Sequence, residues 1–454
     1  MSPRRVHDSL GERMVPDGAR YGAHTSRSLE NFAAFGCTIP EDILRGILYL
    51  KIAAARANAR LGTLDKRKAA AIEKAARGLL RDGFGSDFAV SRYQAGSGTS
   101  SHMNANEVLA FEASRASGLA VHPHDDVNRG QSTNVIFPSG GKIALVLAAD
   151  GLQTALASLA GAFDAKAKEF ARVLKCGRTH LQDAVPVSLG QEFRAYGTAV
   201  RDAARALAAA TDGLRTLAAG GNAVGTGINA PKAFRKTLID ELNKLGVGKY
   251  RAAADGLAAT QFLQSFAFFT AGLRGAASTI GQIANNLRLL SSGPCTGLGE
   301  IRLPPVEAGS SIMPGKINPS ICEAVNQACF HVCGLDAAVA GAAGAGQLEL
   351  NTHMPQIASD ALEATKLLAA AAETLEEKCV KGIEADEAVC RKHLEGSAAL
   401  ATLLSPALGY EKTAALVKEA LAKGQTLREI GLAKGLFTEK EYARLLATST
   451  APNG

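Results

Sequence analysis

"PVSLGQEFRAYGTAVRDAARALAAATDGLRTLA", residues 186–218, decides the fold class of this chain. Its apolar residues are Leu189, Phe193, Tyr196, Val200, Ala203, Leu207, Ala210, Leu214 and Leu217. The steps between them alternate between four and three residues, which is the spacing of one apolar face along a long helix. We therefore predict a long bundle helix from Pro186 to Ala218.

Four further segments carry comparable apolar patterns, which predicts a central bundle of five long helices. They run from about Lys142 to Val173, Leu257 to Leu290, Ser320 through Leu335 to Gly344, and Ile357 to Cys379. The absence of Trp and an aromatic content of 5% disfavour a β-sandwich or barrel, so the predicted fold class is all-α. The predicted domains are an N-terminal helical domain (1–131), the central bundle (132–387) and a small C-terminal helical domain (388–454). Five such helices carry more apolar surface than one monomer can hide, which predicts an oligomer.

Charge, cysteines and hydropathy exclude several classes of protein. The net charge of +7 is spread in ones and twos among acidic residues, which favours a solvated surface that attracts small anions and predicts no nucleic-acid partner. The run "IALVLAADGLQTALASLAGAF" contains Asp150 and Gln153, and no apolar run follows the opening arginines, so we expect no membrane partner and a cytoplasmic protein. No CxxC pair occurs and "HPHDD" lacks further spaced ligands, so no metal site is expected.

Four segments far apart in sequence are rich in glycine and in hydrogen-bond donors. They are "GSGTSSHMNANE" (96–107), "GQSTN" (130–134), "GRTH" (177–180) and "GSSIMPGKIN" (309–318). Hydroxyls, amides and backbone N–H groups bind carboxylates, and one Lys supplies the countercharge. Taken singly, each segment is also explained as a turn or a cap, but four in one chain favour a site for a small carboxylate. "GSSIMPGK" does not match a phosphate-binding P-loop, because five residues separate its glycines and Ile317 follows Lys316.

The donor-rich segments and their neighbours resemble the fumarase/aspartase superfamily over essentially the whole chain. "GSSIMPGKINP" resembles the signature loop of that superfamily. The companions in the same order are "YGAHTSRSLENF", "GSGTSSHMNANEV", "HPHDDVNRGQSTN", "GRTHLQDAVP", "GGNAVGTGIN", "GLGEIRLP" and "GQLELN". The resemblance implies a three-domain helical subunit, a homotetramer with a twenty-helix core, and active sites each drawn from three subunits. It also implies anti elimination from a small dicarboxylate to release fumarate or a relative, with no organic cofactor.

The resemblance also assigns roles to residues by their position in the motifs. Ser310 is implied to be the base, on a mobile loop, and the aci-carboxylate formed is implied to be stabilised by Lys316, Asn318, Thr179 and His180. Glu323 is implied to orient and charge the histidine. The substrate's carboxylates and leaving group are implied to be held by Thr99, Ser132, Thr133 and Asn134.

Short sequence motifs that differ between branches of the superfamily indicate which leaving group is expected. "QSTN", "NNLRLLSSGP", "AVNQACF", "GINA" and "ATQ" resemble the ammonia-lyase branch, whereas "GSGT", "HPHDD" and "CEA" resemble fumarases. The balance favours elimination of ammonia from L-aspartate; the alternatives are hydration of fumarate, a substituted aspartate or other succinate derivative as substrate, and a non-enzymatic helical scaffold. His102, His124 and Val135 replace residues usual in the superfamily, namely Asn, Asn and Asp.

Overall fold

The computed structural model describes residues 3–449, with side chains as far as residue 446. The predicted all-α class is confirmed, because α-helices dominate this part of the chain. The helices are α1 (Ala23–Phe32), α2 (Glu41–Arg60), α3 (Lys66–Asp82), α4 (Thr99–Ser117), α5 (Thr133–Glu169), α6 (Leu189–Leu214), α7 (Phe234–Asn243), α8 (Gly256–Gln261), α9 (Gln264–Leu290), α10 (Ser320–Gly344), α11 (Met354–Lys378), α12 (Glu387–Gly396), α13 (Ala401–Leu408), α14 (Tyr410–Lys423), α15 (Leu427–Ala433) and α16 (Glu439–Ser449).

Short strands form four two-stranded sheets in the part of the chain that is described. The strands are β1 (Arg4–Asp8), β2 (Gly11–Val15), β3 (Leu174–Thr179), β4 (Gln182–Ser188), β5 (Thr216–Leu217), β6 (Arg251–Ala252), β7 (Ile301–Arg302) and β8 (Glu384–Ala385). β1 pairs with β2, β3 with β4 and β7 with β8 in antiparallel register, and β5 pairs with β6 in parallel register. Such small sheets pair short segments between helices and do not form a core.

The chain divides into two compact units. The first unit contains residues 1–153, 205–277 and 330–369, and the second contains residues 154–204, 278–329 and 370–454. The chain passes from one unit to the other within α5, α6, α9, α10 and α11, which are the five long helices. The three-domain division made from the sequence stays a prediction.

Each of the five segments forms a long helix, with corrections at the ends. α6 spans Leu189–Leu214, whereas the pattern predicted Pro186–Ala218, because residues 186–188 complete strand β4. α5 begins at Thr133, nine residues before the predicted Lys142, and it contains Pro138. The segment predicted from Leu257 to Leu290 is broken into α8 and α9, since Phe262 has an extended backbone (φ −103°, ψ 124°).

Two glycines let α2 and α5 approach closely within the first unit. A Cβ atom on Gly46 would lie 2.1 Å from the carbonyl oxygen of Gly140, and one on Gly140 would lie 2.8 Å from Ile47 Cγ1. These distances leave no room for any side chain at either position. The glycines after Pro138 therefore serve helix packing and do not end the helix.

In the second unit, the C-terminal helices pack around an apolar cluster. Its buried members include Leu394, Leu400, Leu404, Leu416, Leu427, Ile430, Phe437 and Tyr442, together with Cys176 of β3. A capping box is present at the start of α16, because Thr438 and Glu441 exchange side-chain to backbone hydrogen bonds of 2.7 and 3.3 Å.

By length and composition alone, α5 could cross a membrane. Among the described residues, no other helix is both long enough and apolar enough to do so. More than half of its most apolar window, 56%, is buried inside the protein. Burial of this kind is typical of a core helix, in agreement with the interpretation made from Asp150 and Gln153.

Candidate active site

Four of the ten predicted site residues lie in the first unit, at the starts of two helices. Thr99 is the first residue of α4 and Thr133 the first of α5, with Ser132 and Asn134 beside it. All four side chains are half-buried. The Asn134 amide donates to the carbonyl of Ala223 at 2.8 Å, which ties this group to the "GGNAVGTGIN" loop. A helix start offers unpaired N–H groups and a positive dipole end, which suit an anionic ligand.

A buried hydrogen-bond chain stands behind Thr133. His102 Nδ1 lies 2.7 Å from Thr133 Oγ1, and His102 Nε2 lies 2.7 Å from Nζ of Lys51. His102 and Lys51 have no exposed surface. Lys51 Nζ also donates to Asn128 Oδ1 at 3.1 Å and to Gln131 Oε1 at 2.9 Å. We call these five residues the Lys51 network.

Lys51 was not among the residues predicted from the sequence, although His102 stood out there as a departure from the superfamily pattern. Lys51 lies in the middle of α2, among apolar residues that read as an ordinary core face. A lysine inside an otherwise apolar helical stripe is a usable signal, because lysines are almost never fully buried without partners. Burial lowers the pKa of Lys51 well below its ordinary value.

In the second unit, His180 lies at the tip of the β3–β4 hairpin. Thr179 pairs with Gln182, so His180 and Leu181 form a two-residue turn with φ values of 56° and 59°. Positive φ at both positions defines a type I′ turn, which normally takes Asn-Gly, and a histidine and a leucine there carry backbone strain. Thr179, His180 and Leu181 are exposed. Strain of this kind is typical of a residue that is held in place for function.

Glu300 holds the base of the hairpin. This carboxylate has no exposed side-chain surface and lies 2.8 Å from both Arg178 Nη2 and Lys175 Nζ, and 3.0 Å from His393 Nδ1. Burial alone would raise the pKa of Glu300, but hydrogen bonds from Arg178 and Lys175 lower it below its ordinary value. The glutamate of "GLGEIRLP" had no role predicted from the sequence; in the structure Glu300 fixes strand β3, which ends at Thr179 just before His180.

The loop 309–319 contains three more predicted residues. Ser310 Oγ accepts hydrogen bonds from the backbone N–H of Ile312 at 3.1 Å and of Met313 at 3.0 Å. Gly309 N–H donates to the carbonyl of Lys316 at 3.0 Å, and the Asn318 amide donates to the carbonyl of Gly309 at 2.6 Å. These bonds close the loop on itself.

The loop presents a cation and a serine oxygen that already receives two donors. Lys316 is exposed, and in the described part of the chain no hydrogen bond or ion pair engages its ammonium group. Two backbone N–H groups on Ser310 Oγ stabilise negative charge on that oxygen, as they do on carboxylates.

Glu323 lies in the first turn of α10, where its Oε1 is 3.6 Å from Arg288 Nη2. Among the described residues, no hydrogen bond or ion pair joins Glu323 to His180, or Thr179 and His180 to Ser310, Lys316 or Asn318. The structure therefore brings the residues together in three places: the Thr99 and Thr133 helix starts, the hairpin tip, and the Ser310 loop with α10. The role of each residue stays a prediction.

The other two departures from the superfamily pattern lie in ordinary positions, one in the core and one on the surface. Val135 has no exposed surface and joins the core below the start of α5. His124 is exposed, with its ring centroid 5.6 Å from that of His122. No group of three or more His, Cys, Asp or Glu side chains suited to a metal occurs among the described residues.

The chain is similar to lyases over nearly its whole length. The family profile described as "Lyase" matches residues 11–334, and one described as "Fumarase C C-terminus" matches residues 400–450. An aspartate ammonia-lyase of Pseudomonas fluorescens is 43% identical over 445 residues, covering 96% of this chain and 93% of that protein. A class II fumarate hydratase of Pseudomonas syringae pv. tomato is 41% identical over 446 residues, covering 97% and 96%.

A solved structure agrees with this similarity. The fumarate lyase:delta crystallin from Brucella melitensis, crystallised with cobalt, matches with a TM-score of 0.94 at 43% identity over 98% of this chain and 99% of that one. The fold and the ordered donor segments thus define a lyase. The chain belongs to the fumarase/aspartase superfamily, which confirms the family predicted from the motifs.

Proposed function

We propose that this protein eliminates ammonia from L-aspartate to give fumarate, in a reversible reaction. The proposal is supported by the similarity to aspartate ammonia-lyases and by segments such as "QSTN" and "NNLRLLSSGP". The observation that carries the elimination reaction, whichever group leaves, is the environment of Ser310, whose oxygen receives two backbone N–H donors inside a loop closed by its own hydrogen bonds.

Ser310 acts as the base. The Ser310 hydroxyl first loses its proton to solvent, and the N–H groups of Ile312 and Met313 stabilise the alkoxide that remains. This alkoxide then takes a proton from the carbon next to the one that bears the amino group. The electron pair left behind moves into the attached carboxylate, which becomes a doubly charged aci-carboxylate. The pair then returns to form the C–C double bond as the C–N bond breaks and ammonia leaves.

Stabilising the aci-carboxylate is the main electrostatic demand of this reaction. Lys316 supplies a positive charge, and the second N–H of the Asn318 amide supplies a donor beside it. His180 and Thr179 add donors from the strained hairpin tip, and Glu323 orients the histidine. Closure of the Ser310 loop over the substrate excludes water and strengthens each of these interactions.

The substrate's carboxylates and amino group are held by Thr99, Ser132, Thr133 and Asn134. We propose that the chain forms a homotetramer in which three subunits supply the residues of each active site. Large apolar side chains support association: within the first unit, Leu147 of α5, Phe268 of α9 and Phe330 of α10 are 39%, 68% and 70% exposed. Light scattering after size-exclusion chromatography tests the proposed assembly.

The second candidate is hydration of fumarate to L-malate, which the similarity to class II fumarate hydratases favours. Purified protein is incubated separately with L-aspartate and with L-malate, and fumarate is followed by its ultraviolet absorbance. We expect fumarate from L-aspartate only. Fumarate from L-malate only would replace the first candidate with the second, and fumarate from neither would contradict both.

Ser310→Ala tests the base directly, with Ser311→Ala as the matched control. Ser311 is the exposed neighbour on the same loop, and no hydrogen bond engages its hydroxyl in the described structure. We expect Ser310→Ala to keep the oligomer and to lower kcat on the order of 10³-fold, since it removes the group that accepts the proton. Ser311→Ala keeps near-normal turnover. Equal rates for the two variants would exclude Ser310 as the base.

A further inference from the structure

Lys51 is a fully buried lysine whose partners are all hydrogen-bond acceptors without charge. Its Nζ contacts Asn128 Oδ1, Gln131 Oε1 and His102 Nε2 at 3.1, 2.9 and 2.7 Å. In the described part of the chain, no carboxylate forms a hydrogen bond or ion pair with Lys51 or His102. An ammonium group has three N–H donors, and the three contacts match them one for one.

The two amides can only accept from Lys51. The Asn128 Nδ2 group donates to the carbonyl of Gln131 at 3.2 Å, and the Gln131 Nε2 group donates to the carbonyl of Val127 at 3.0 Å. Since the NH₂ end of each amide faces a carbonyl, the oxygen end faces Lys51. Two of the ammonium hydrogens are therefore committed to amides, and the third lies toward His102.

This arrangement sets the tautomer of His102 and the direction of the Thr133 hydroxyl. If Nε2 accepts from Lys51, the ring hydrogen sits on Nδ1, 2.7 Å from Thr133 Oγ1. Thr133 then accepts from His102, and its own O–H points to another acceptor. Within the described residues, no second hydrogen bond engages the Thr133 hydroxyl.

We propose that Lys51 and His102 are positioning residues that act through Thr133, fixing its hydroxyl as a hydrogen-bond donor to a substrate carboxylate. This rests on the proposed function, which places Thr133 in the substrate site. The opposite tautomer would turn the Thr133 hydroxyl inward and leave only its lone pairs for a ligand, which suits an amino group and not a carboxylate. The bound dianion also supplies the negative charge that the Lys51 network lacks.

Charges around the network favour the neutral ring with one fixed tautomer. Burial lowers the pKa of His102 well below its ordinary value, and Lys51 from α2, His124 and His24 from α1 lower it further. Burial likewise lowers the pKa of Lys51, so a nearby carboxylate favours its protonated form. Binding of a dicarboxylate should therefore weaken as pH rises through the lowered pKa of Lys51, which lies below the ordinary value of 10.5.

A double-mutant cycle tests the coupling. Succinate, which has no leaving group, is titrated by calorimetry into the full-length oligomer of the wild type, His102→Phe, Thr133→Val and the double variant. We expect Thr133→Val to weaken binding about tenfold, because it removes one hydrogen bond to a charged group. His102→Phe weakens binding severalfold in the wild type and has no further effect beside Thr133→Val. The proposal is overturned if His102→Phe weakens succinate binding by the same factor with and without Thr133→Val. It is also overturned if His102→Phe has no effect in either background.

Lys51→Met takes the place of His102→Phe in the same cycle if the latter does not fold, and it adds a pH readout. Its matched control is Lys142→Met, since Lys142 is a second buried lysine of the first unit that contacts the carbonyl of Thr216 and no candidate site residue. We expect succinate affinity to fall as pH rises toward 10.5 in the wild type and in Lys142→Met, and to show a flat pH profile in Lys51→Met. Identical profiles in all three overturn the proposal.

These outcomes separate the inference from the proposed function. Turnover of L-aspartate or L-malate by the wild type is measured independently of succinate binding. An active wild type without coupling between His102 and Thr133 contradicts only the inference. A protein that binds succinate with the expected coupling, yet forms no fumarate, contradicts only the proposed function.

Discussion

Gly309→Ala is the sharpest test of the Ser310 loop, because the loop closes over the space where a side chain would stand. A Cβ atom on Gly309 would lie 2.2 Å from the carbonyl oxygen of Lys316 and 2.9 Å from the backbone nitrogen of Asn318. Since carbon and oxygen need roughly 3.3 Å at such contacts, the two sides of the loop must separate by about 1 Å. That movement breaks the Gly309 to Lys316 hydrogen bond and strains the Asn318 to Gly309 bond.

The expected loss of catalytic rate in Gly309→Ala follows from these two hydrogen bonds. Each is worth about 1 kcal/mol, so the closed loop is destabilised by about 2 kcal/mol relative to open forms. Ser310 is the next residue, and a displacement of about 1 Å at a reacting group costs on the order of 10²-fold in rate. We therefore expect kcat for fumarate formation to fall about 100-fold. The thermal midpoint should hardly change, since residues 311–317 are exposed.

Gly78→Ala is the matched control, measured in the same fumarate assay and by thermal unfolding. Gly78 lies inside α3, and a Cβ atom there would meet nothing within 4 Å. The substitution should stabilise the helix by up to about 1 kcal/mol and leave kcat unchanged. A kcat for Gly309→Ala within twofold of the wild type would refute the role given to the closed loop, as would an equal loss in Gly78→Ala.

Three further predictions concern stability. Glu300→Gln leaves Arg178 without its buried counter-charge and Lys175 with Glu192 alone, and it should cost about 3 kcal/mol in urea unfolding. Because the folded pKa of Glu300 is lowered, the wild type loses this contribution as pH falls through that pKa, and the variant should lack this acid dependence. Leu181→Gly removes a positive-φ leucine from the hairpin turn, so the thermal midpoint should rise by the equivalent of about 1 kcal/mol. Burial lowers the pKa of Lys142 from 10.5 to about 8, so the unfolded chain binds more protons between these values; wild-type stability should rise with pH in that window, and Lys142→Met should lack this rise. A decrease in midpoint for Leu181→Gly, or unaltered pH profiles for the other two variants, would contradict the respective reasoning.

Helices with a clear apolar period were predictable from the sequence, but most of their ends were not; α10, which spans the predicted Ser320–Gly344, is an exception. α6 and α10 lie where the period places them, because one face of each must be buried. The predicted start of α5 was wrong because Pro138 and the following glycines read as helix breakers. The contact of Gly140 with Gly46 shows the physical reason for the glycine: a second helix occupies the space of its side chain. Such tertiary causes leave no mark in local propensity.

The sequence alone indicates loop 309–319 as a candidate site, since glycines, prolines and donors together have no packing explanation. What the sequence could not supply was the pair of backbone N–H groups on Ser310 Oγ, because their direction depends on how the loop closes. The strain at His180 was equally hidden: neither His180 nor Leu181 is a residue type that predicts a hairpin turn, and only the pairing of Thr179 with Gln182 forces positive φ at His180.

The contacts of Lys51 could not be predicted from the sequence. Its three acceptors come from residues 51 to 80 positions away in the chain, and each is an unremarkable polar side chain when read locally. Their role follows from counting hydrogen-bond donors and acceptors. The two amides already use their NH₂ groups elsewhere, the imidazole ring has two nitrogens, and an ammonium group has three hydrogens to donate. Once these are counted, the replacement of the usual Asn by His102 extends a buried cation's influence to Thr133. A departure from the family pattern thereby becomes a reason to expect tight control of one hydroxyl group.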